Sequence, residues 1–524
     1  MIKAIDKKRI AALTVFGIGI LLVLFYIIVK QRVEFDSDYT DTILWADAML
    51  TGHGLFDKTM NYAYTLPFGG SLLMVPFVAI FGVGYTAHAL GFVLFLGIFA
   101  FAGYKLFRSM DFSIDASFAC MGLVLLLSLP TKNTRMIIWG HVIHYSLGLL
   151  FVMIALSVYG KIKTSDLDAL KEKCNIKWIV ILAALTALFC SNGLSTILFF
   201  AIPFYGGIIL ERFLDIDEEN FSKGNIATLA VSGICMFTGL VGFGVSKLMQ
   251  RGVTTVYESM FKDIQSWMNW IWDFEDRIRC MLVVCAGEIE SDIPMESFTG
   301  IRVLYMALFG FVIMIVPIVA VASYKKMKSK TMKIFILSYY ILLVSSLFIY
   351  DFSMARGTAH RLVGIYMTAV IVTVVYMAWL FKENRLNRFG FVLALVLSGA
   401  AVFSAYSVKA LSGENRYMAL SRVLEENGLK YGYAEYWSAQ VTTVLSDNNV
   451  EVCPIYISEE GDVAPRMYNI RTQQFDDKEG VDRYFAFLSS WEYEITKDKI
   501  GADAIDVIPF DEDGYILVFD HNIF

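Results

Sequence analysis

Eleven apolar stretches, each about as long as a helix that crosses a bilayer, recur along this 524-residue chain. They lie at about 10–29, 85–104, 112–130, 142–160, 178–192, 194–211, 225–247, 301–324, 333–350, 362–381 and 389–408. Backbone polar groups inside lipid must be satisfied within each segment, so such a chain folds as a helical bundle. Charged residues are only 18% of the chain, where a soluble protein of this length carries about 25%. A soluble enzyme, a disordered chain, a collagen and a disulfide scaffold are thereby excluded.

The stretch at 66–83 is different. Pro67, Gly69, Gly70 and Pro76 interrupt it, and they break a regular helix. The positive-inside bias decides how to count it. Basic clusters follow four of the spans: Lys105 and Arg108; Lys161, Lys163, Lys171 and Lys173; Lys325, Lys326, Lys328 and Lys330; Lys382, Arg385 and Arg388. All four fall on the cytoplasmic side only if 66–83 does not cross. The expectation is a polytopic α-helical membrane protein with about 11 spans plus a re-entrant or interfacial helix. Lys7, Lys8 and Arg9 precede the first run with no small-residue cleavage site after it, which reads as an uncleaved anchor with a cytoplasmic N-terminus.

Composition changes at the end of the last run. Residues 409–524 carry a charge of −12, and the rest of the chain carries +6. Residues 1–408 therefore read as a membrane domain, and 409–524 as a small extracytoplasmic α/β domain. Its expected elements are a helix over Glu414–Asn427, a strand over Leu429–Tyr433, a helix over Tyr436–Ser446 and a strand over Val450–Ile457. A hairpin is expected from Ala504–Pro509 and Tyr515–Phe519 around Asp513–Gly514. No Gly-rich nucleotide signature occurs in it, and no basic patch in the chain suits nucleic acid. Cys453 is the tail's one cysteine, so no disulfide braces it internally, whereas Cys280 and Cys285 could pair. In the outer segment 248–300, Trp267, Trp270 and Trp272 suit a helix lying at the membrane surface.

Four constellations on the outer side can carry chemistry. Asp36, Asp38 and Asp41 follow the first span, and Asp38 and Asp41 would share a helical face. A carboxylate there can take a proton from an acceptor hydroxyl or hold a divalent cation such as Mg²⁺ or Mn²⁺. The plainer reading is that acidic residues merely mark an outer loop. Lys132, Arg135, His141 and His144 lie where cations run against the charge bias. They can bind a phosphate, snorkel to headgroups, or in the histidines' case simply pack or ligate a metal. Asp351, Arg356, His360 and Arg361 form a third group, suited to an anion or to ion pairing with Asp351. Arg251, Tyr257, Glu258, Lys262 and Asp263 form a fourth, suited to acceptor contact or to ordinary solvation. A base and several cations on one side of the bilayer suit transfer from a lipid-phosphate donor.

The first outer loop also resembles a known family. It runs Ser37-Asp38-Tyr39-Thr40-Asp41, then Trp45-Ala46-Asp47-Ala48-Met49-Leu50 and Gly52, then Tyr64, Pro67 and Gly69, ending at Phe81-Gly82. This resembles integral-membrane GT-C glycosyltransferases of bacteria, the superfamily of protein O-mannosyltransferases and lipid A aminoarabinose transferases. Asp38 aligns with the family's acidic position, with Asp41 and Asp36 as fall-backs. Arg361 resembles the late Arg-Tyr element, with Leu362 in place of the Tyr. Leu66-Pro67-Phe68 stands where the aminoarabinose branch has Lys-Pro-Pro. Tyr431-Gly432-Tyr433-Ala434, with Tyr436-Trp437, looks like the start of an outer domain in bacterial members.

The resemblance implies an inverting enzyme of the cell envelope. Its donor would be a polyprenyl-phosphate-linked sugar, and its acceptor a glycan, lipid or protein, in contact with membrane lipids. Arg135, His141, Arg356, His360 and Arg361 would hold the donor phosphate, and Tyr257 and Glu258 would lie toward the acceptor. Two other classes stand beside it. A transporter or flippase of a lipid-linked glycan would need midplane charges and paired halves, and no internal repeat is seen. A silent anchor for the acidic tail would need the named residues to lie far apart.

Overall fold

The computed structural model describes residues 7–214, 223–256, 264–289, 292–352, 358–383 and 388–524. Among them, nine helices are long and apolar enough to cross a membrane. They are Lys7–Glu34, Tyr85–Ser109, Lys173–Cys190, Leu194–Leu214, Gly224–Met249, Phe298–Ala322, Lys330–Phe352, Ala359–Lys382 and Arg388–Ala410. The pair Lys132–Trp139 and His144–Tyr159, bent by 62°, makes a tenth crossing if it counts as one span. The shorter helix Ile114–Leu127 occupies the remaining stretch of the expected eleven. Every apolar run expected to cross is therefore helical. The chain is a multi-pass membrane protein. Segment 71–81 is a helix of 11 residues containing Pro76 and ended by Gly82 at φ 76°. At 1.5 Å per residue it is about 16 Å long, roughly half the hydrocarbon thickness.

The chain divides into two compact units. The first comprises Met1–Tyr26, Phe95–Met249 and Ser259–Ala410. Its centre is the helix Val363–Lys382, apolar on every face and packed against Ile114–Leu127, His144–Tyr159, Phe298–Ala322, Lys330–Phe352 and Arg388–Ala410. Tyr366 on it is fully buried, and its hydroxyl donates to the Leu127 carbonyl at 2.6 Å. Lipid tails are as apolar as leucine, so close approach rather than water exclusion holds such helices together. The first helix and Ile114–Leu127 show this. A Cβ on Gly122 would sit 2.6 Å from the backbone of Val15 and Phe16, and one on Gly19 would sit 2.8 Å from the Gly122 carbonyl. We expect Gly122→Ala to push the two helices apart and cost about 1–3 kcal/mol, read as earlier unfolding in a detergent titration.

The second unit comprises Ile27–Leu94, Gln250–Glu258 and Leu411–Phe524, so the first loop and the tail fold together. A small sheet joins them. Strand β1 (Met60–Tyr62) pairs in parallel with β2 (Thr254–Thr255) and antiparallel with β6 (Ile470–Arg471). The main sheet contains β3 (Tyr431–Glu435), β4 (Glu451–Ile457), β5 (Val463–Pro465), β7 (Tyr484–Ser489), β8 (Asp506–Asp511) and β9 (Gly514–Phe519). Its order is β5-β4-β3-β7-β9-β8, with β4, β3 and β7 parallel and the edges antiparallel. Helices Arg416–Glu426 and Tyr436–Leu445 cover one face, where Leu420, Leu424 and Ala439 meet Ala434, Val452 and Phe487. On the other face Tyr493 and Ile495 of helix Ser490–Thr496 pack on Tyr433, Ile455 and Leu488. The expected helices, strands and hairpin of the tail are all present. Three tail strands were not expected: the short β5 and β6, and β7, which is continuously apolar and central and so shows no alternation.

All seven cysteines are free thiols, so Cys280 and Cys285 do not pair. They lie on one helix, Trp267–Ala286, five residues apart, and so on different faces of it. That helix fits the tryptophan-based expectation in outline. Trp267, Met268, Ile271 and Trp272 are all at least 70% exposed, whereas Arg277, Met281, Val284 and Cys285 are buried.

Candidate functional site

The acidic loop lies in the second unit and is built by capping. Asp36 ends an extended segment, and its carboxylate accepts from the Asp38 backbone N–H at 3.2 Å, starting the single turn Ser37–Thr40. The helix Asp41–Thr51 follows directly. Ser37 Oγ donates to the carbonyls of Tyr436 and Trp437, both at 2.9 Å, which seats this turn on the end of β3. Asp38 is half-buried in the turn. Asp41 is buried at 2% exposure, and its carboxylate accepts from Asn469 Nδ2 at 2.6 Å.

Asn469 is the hub of this region. Its carbonyl oxygen also accepts from Trp45 Nε1 at 2.9 Å and from the Ala63 N–H at 2.8 Å. Its φ of 51° lies in the left-handed region, which Asn tolerates better than most residues. Gln440 Nε2 braces it by donating to the carbonyls of Tyr468 and Asn469 at 3.0 and 2.9 Å. We expect Trp45→Phe to cost about 1 kcal/mol in thermal unfolding, because Asn469 keeps its Ala63 and Asp41 bonds.

Tyr436 completes the surroundings of the loop. Burial, followed by the charges of Asp41 and Asp38, raises its phenol well above the ordinary tyrosine range. A neutral phenol thus stands beside two carboxylates of unequal standing. Asp41 is committed to Asn469, and Asp38 is the more accessible of the two. Nearby, Arg471 clamps Asp47 at 2.9 Å and Asp57 at 2.8 Å. Burial alone would raise the Asp57 carboxyl. The hydrogen bonds from Arg471 and Thr59 outweigh it and hold that carboxyl below its usual range. A cavity of about 200 Å³ opens here, with Asp47, Gln440, Glu451, Asn469, Arg471 and Gln474 in its wall.

The cations lie in the first unit. Thr131 caps the helix Lys132–Trp139 and donates to the Val284 carbonyl at 2.8 Å. Arg135 on that helix is buried, donating to the Leu129 carbonyl at 3.0 Å and to Ser407 Oγ at 3.2 Å. Its guanidinium lies 5.7 Å from the centre of the Tyr26 ring. Lys132 is exposed. His141 is buried in the break between the bent helices, and His144 opens the second of them, with its ring 4.1 Å from Tyr145 and 5.5 Å from Phe199. His141, His144, His360 and Arg361 lie within electrostatic reach of one another. Tyr145 and Tyr350 are hydrogen-bonded beside Arg361. The structure therefore brings His141 and His144 of one group near His360 and Arg361 of the other.

The ion pair of Asp351 is with Arg277, at 3.0 Å and with both side chains largely buried. Arg277 also lies 3.6 Å from Asp276 and 4.0 Å from Asp273. Sequence reading missed Arg277, as it missed Asn469 and Arg471. For Arg277 the signal was present, a cation one turn from Asp273 on the polar face of an amphipathic helix. For the other two no local signal exists. Arg356, Tyr257, Glu258, Lys262 and Asp263 lie outside the described residues. Among the described residues no three His, Cys, Asp or Glu side chains are grouped to hold a metal ion. The Asp36 carboxylate accepts from a backbone N–H and that of Asp41 from Asn469.

No protein-family model matches the chain, and no curated protein matches it in sequence. Solved structures do match. ArnT from Cupriavidus metallidurans bound to undecaprenyl phosphate aligns with 96% of this chain and 97% of its own, at 12% identity and a TM-score of 0.53. The chain has the ArnT fold. That fold is a polytopic helical domain with a C-terminal α/β domain, as expected from the sequence. The oligosaccharyltransferase of Archaeoglobus fulgidus, tethered to an acceptor peptide, also matches, over 88% of this chain at 14% identity and a TM-score of 0.49. The chain spans 64% of that protein's length. With ArnT the correspondence runs nearly end to end, so both the membrane helices and the tail belong to the shared fold.

Proposed function

We propose that this protein is a glycosyltransferase that moves a sugar from a polyprenyl-phosphate donor to an acceptor at the outer face of the membrane. The observation that carries the reading is the ArnT fold over 96% of the chain, because that neighbour was solved with undecaprenyl phosphate bound. In this reading the N-terminus is cytoplasmic, and the tail, with the acidic loop, is extracytoplasmic.

The chemistry follows from the charges. The acceptor hydroxyl attacks the anomeric carbon from the face opposite the lipid phosphate. The carbon–oxygen bond to that phosphate breaks, and the sugar inverts. Asp38 takes the hydroxyl proton. Arg361 and Arg135 offset the negative charge that grows on the departing polyprenyl phosphate, and His360 and His141 donate hydrogen bonds to it. The hydroxyl of Tyr436 holds the acidic loop's charge as a neutral neighbour.

The test is direct. Full-length protein in lipid nanodiscs is incubated with a panel of radiolabelled polyprenyl-phosphate sugars and membrane extract. The expected result is label transferred to an acceptor, with matching release of polyprenyl phosphate. Folded protein that transfers none of the panel's hexoses, pentoses or amino sugars would overturn the reading.

A further inference from the structure

The tail sheet carries a feature that the transfer chemistry does not use. Strand β3 leads to β4 on one side of it, and the chain then returns to place β7 on the other side. All three are parallel, with Ala434 opposite both Pro454 and Phe487. The direction of winding thus reverses at β3. In sheets of this kind the crevice outside the carboxyl ends of the strands, at the point of reversal, is where ligands bind. The helices after β3 and β7 leave on opposite faces of the sheet, and the turn Ser37–Thr40 borders the first of them through the Ser37 hydroxyl.

The residues at that edge are unusual for a soluble surface. Trp437, two residues past β3, is 51% exposed, and Trp491, two residues past β7, is 59% exposed. Tyr456 near the end of β4 is 55% exposed. Between them lies Glu435, whose carboxylate accepts from the Trp437 N–H at 2.8 Å and from Arg466 Nη1 at 2.8 Å. Glu492, which caps the helix after β7, lies close enough to act on Glu435 electrostatically. A membrane-seating or protein-binding patch would favour a continuous apolar surface. Here flat aromatic faces alternate with carboxylates and a guanidinium.

We propose that the carboxyl edge of the tail sheet is a carbohydrate-binding crevice. The indole faces of Trp437 and Trp491 stack on pyranose rings, while Glu435, Glu492 and Arg466 accept from and donate to ring hydroxyls. Apolar C–H faces of sugars suit aromatic rings, and fixed planar polar groups suit paired hydroxyls. The inference rests on the glycosyltransferase reading only in calling the bound glycan the acceptor.

The test uses the full chain in nanodiscs, titrated calorimetrically with di- to tetrasaccharides of hexose and N-acetylhexosamine. Binding by at least one of them is expected, weakened about tenfold by Trp437→Ala or Trp491→Ala and largely restored by Trp→Phe at the same position. Both side chains are exposed, so thermal unfolding of the variants should match the parent. Absence of binding across the panel, or binding indifferent to both Ala variants, would overturn the proposal. A parallel measurement with brominated lipids has a third outcome. Quenching that disappears in Trp437→Ala or Trp491→Ala would make the edge a membrane-seating surface and also overturn it. Retained saccharide binding in a protein that transfers no sugar would remove the enzymatic reading alone. Transfer indifferent to Trp437 and Trp491, with saccharide binding still sensitive to them, would overturn the identification of the bound glycan as the acceptor.

Discussion

Replacing Asp38 by Asn is expected to reduce sugar transfer by about 10²–10⁴-fold, the range over which a positioned general base contributes. The amide keeps the shape of the carboxylate but accepts no proton. Asp38 sits in a turn fixed by Asp36 from one side, which accepts from its backbone N–H, and by the Ser37 hydroxyl from the other. Unfolding temperature should therefore stay near the parent value. Asp41→Asn gives the contrast. Its carboxylate is buried and bonded to Asn469, so that change should appear first in stability. Transfer rates and unfolding curves measured on the two variants separate the roles. Full activity of Asp38→Asn would remove the base assignment, and Asp41 would become the next candidate.

Replacing Arg277 by Met is expected to destabilise the membrane unit by about 3–5 kcal/mol. The reason is asymmetry. Arg277 is 4% exposed, and it faces Asp351 at 3.0 Å with Asp276 and Asp273 close behind. Removing the cation leaves Asp351 buried without its partner, and the desolvation already incurred is no longer offset. Gln265, which donates to the Asp351 carbonyl and to Asp273, cannot replace a charge. The double change Arg277→Met with Asp351→Leu should recover most of the loss, because a buried pair replaced together by apolar groups is often neutral or stabilising. Detergent-titrated unfolding of the two single variants and the double variant gives the coupling directly. Additive losses would mean the pair is held by its surroundings and contributes nothing itself.

The site was legible in unequal parts. Asp36, Asp38 and Asp41 were readable because acidic residues directly after a first span are few and adjacent. The histidines and Arg361 were readable because cations on the outer side of a membrane are rare. That His141, His144, His360 and Arg361 meet was not readable, since more than two hundred positions separate the two groups. Arg277 was hidden in a helix read only for its tryptophans, and its partner Asp351 is 74 positions away. Asn469 and Arg471 lie just before and in the two-residue strand β6, too short to show a pattern, and their partners Asp41, Asp47 and Asp57 come from the far end of the chain.

Sequence alone determined the membrane architecture, because a hydrocarbon solvent admits so few solutions. Twenty apolar residues in a row must be a helix, and a prolyl- and glycyl-broken stretch such as 66–83 makes only a short one. It likewise determined most of the tail's elements, where alternation and turn residues are local signals. Tertiary structure alone decided that the first loop folds with the tail 400 residues later, through the bonds of Ser37 to Tyr436 and of Asn469 to Asp41. It also decided which carboxylate is spent on structure and which stays accessible. Such choices depend on pairings between distant segments, and no local pattern encodes the partner of a buried polar group.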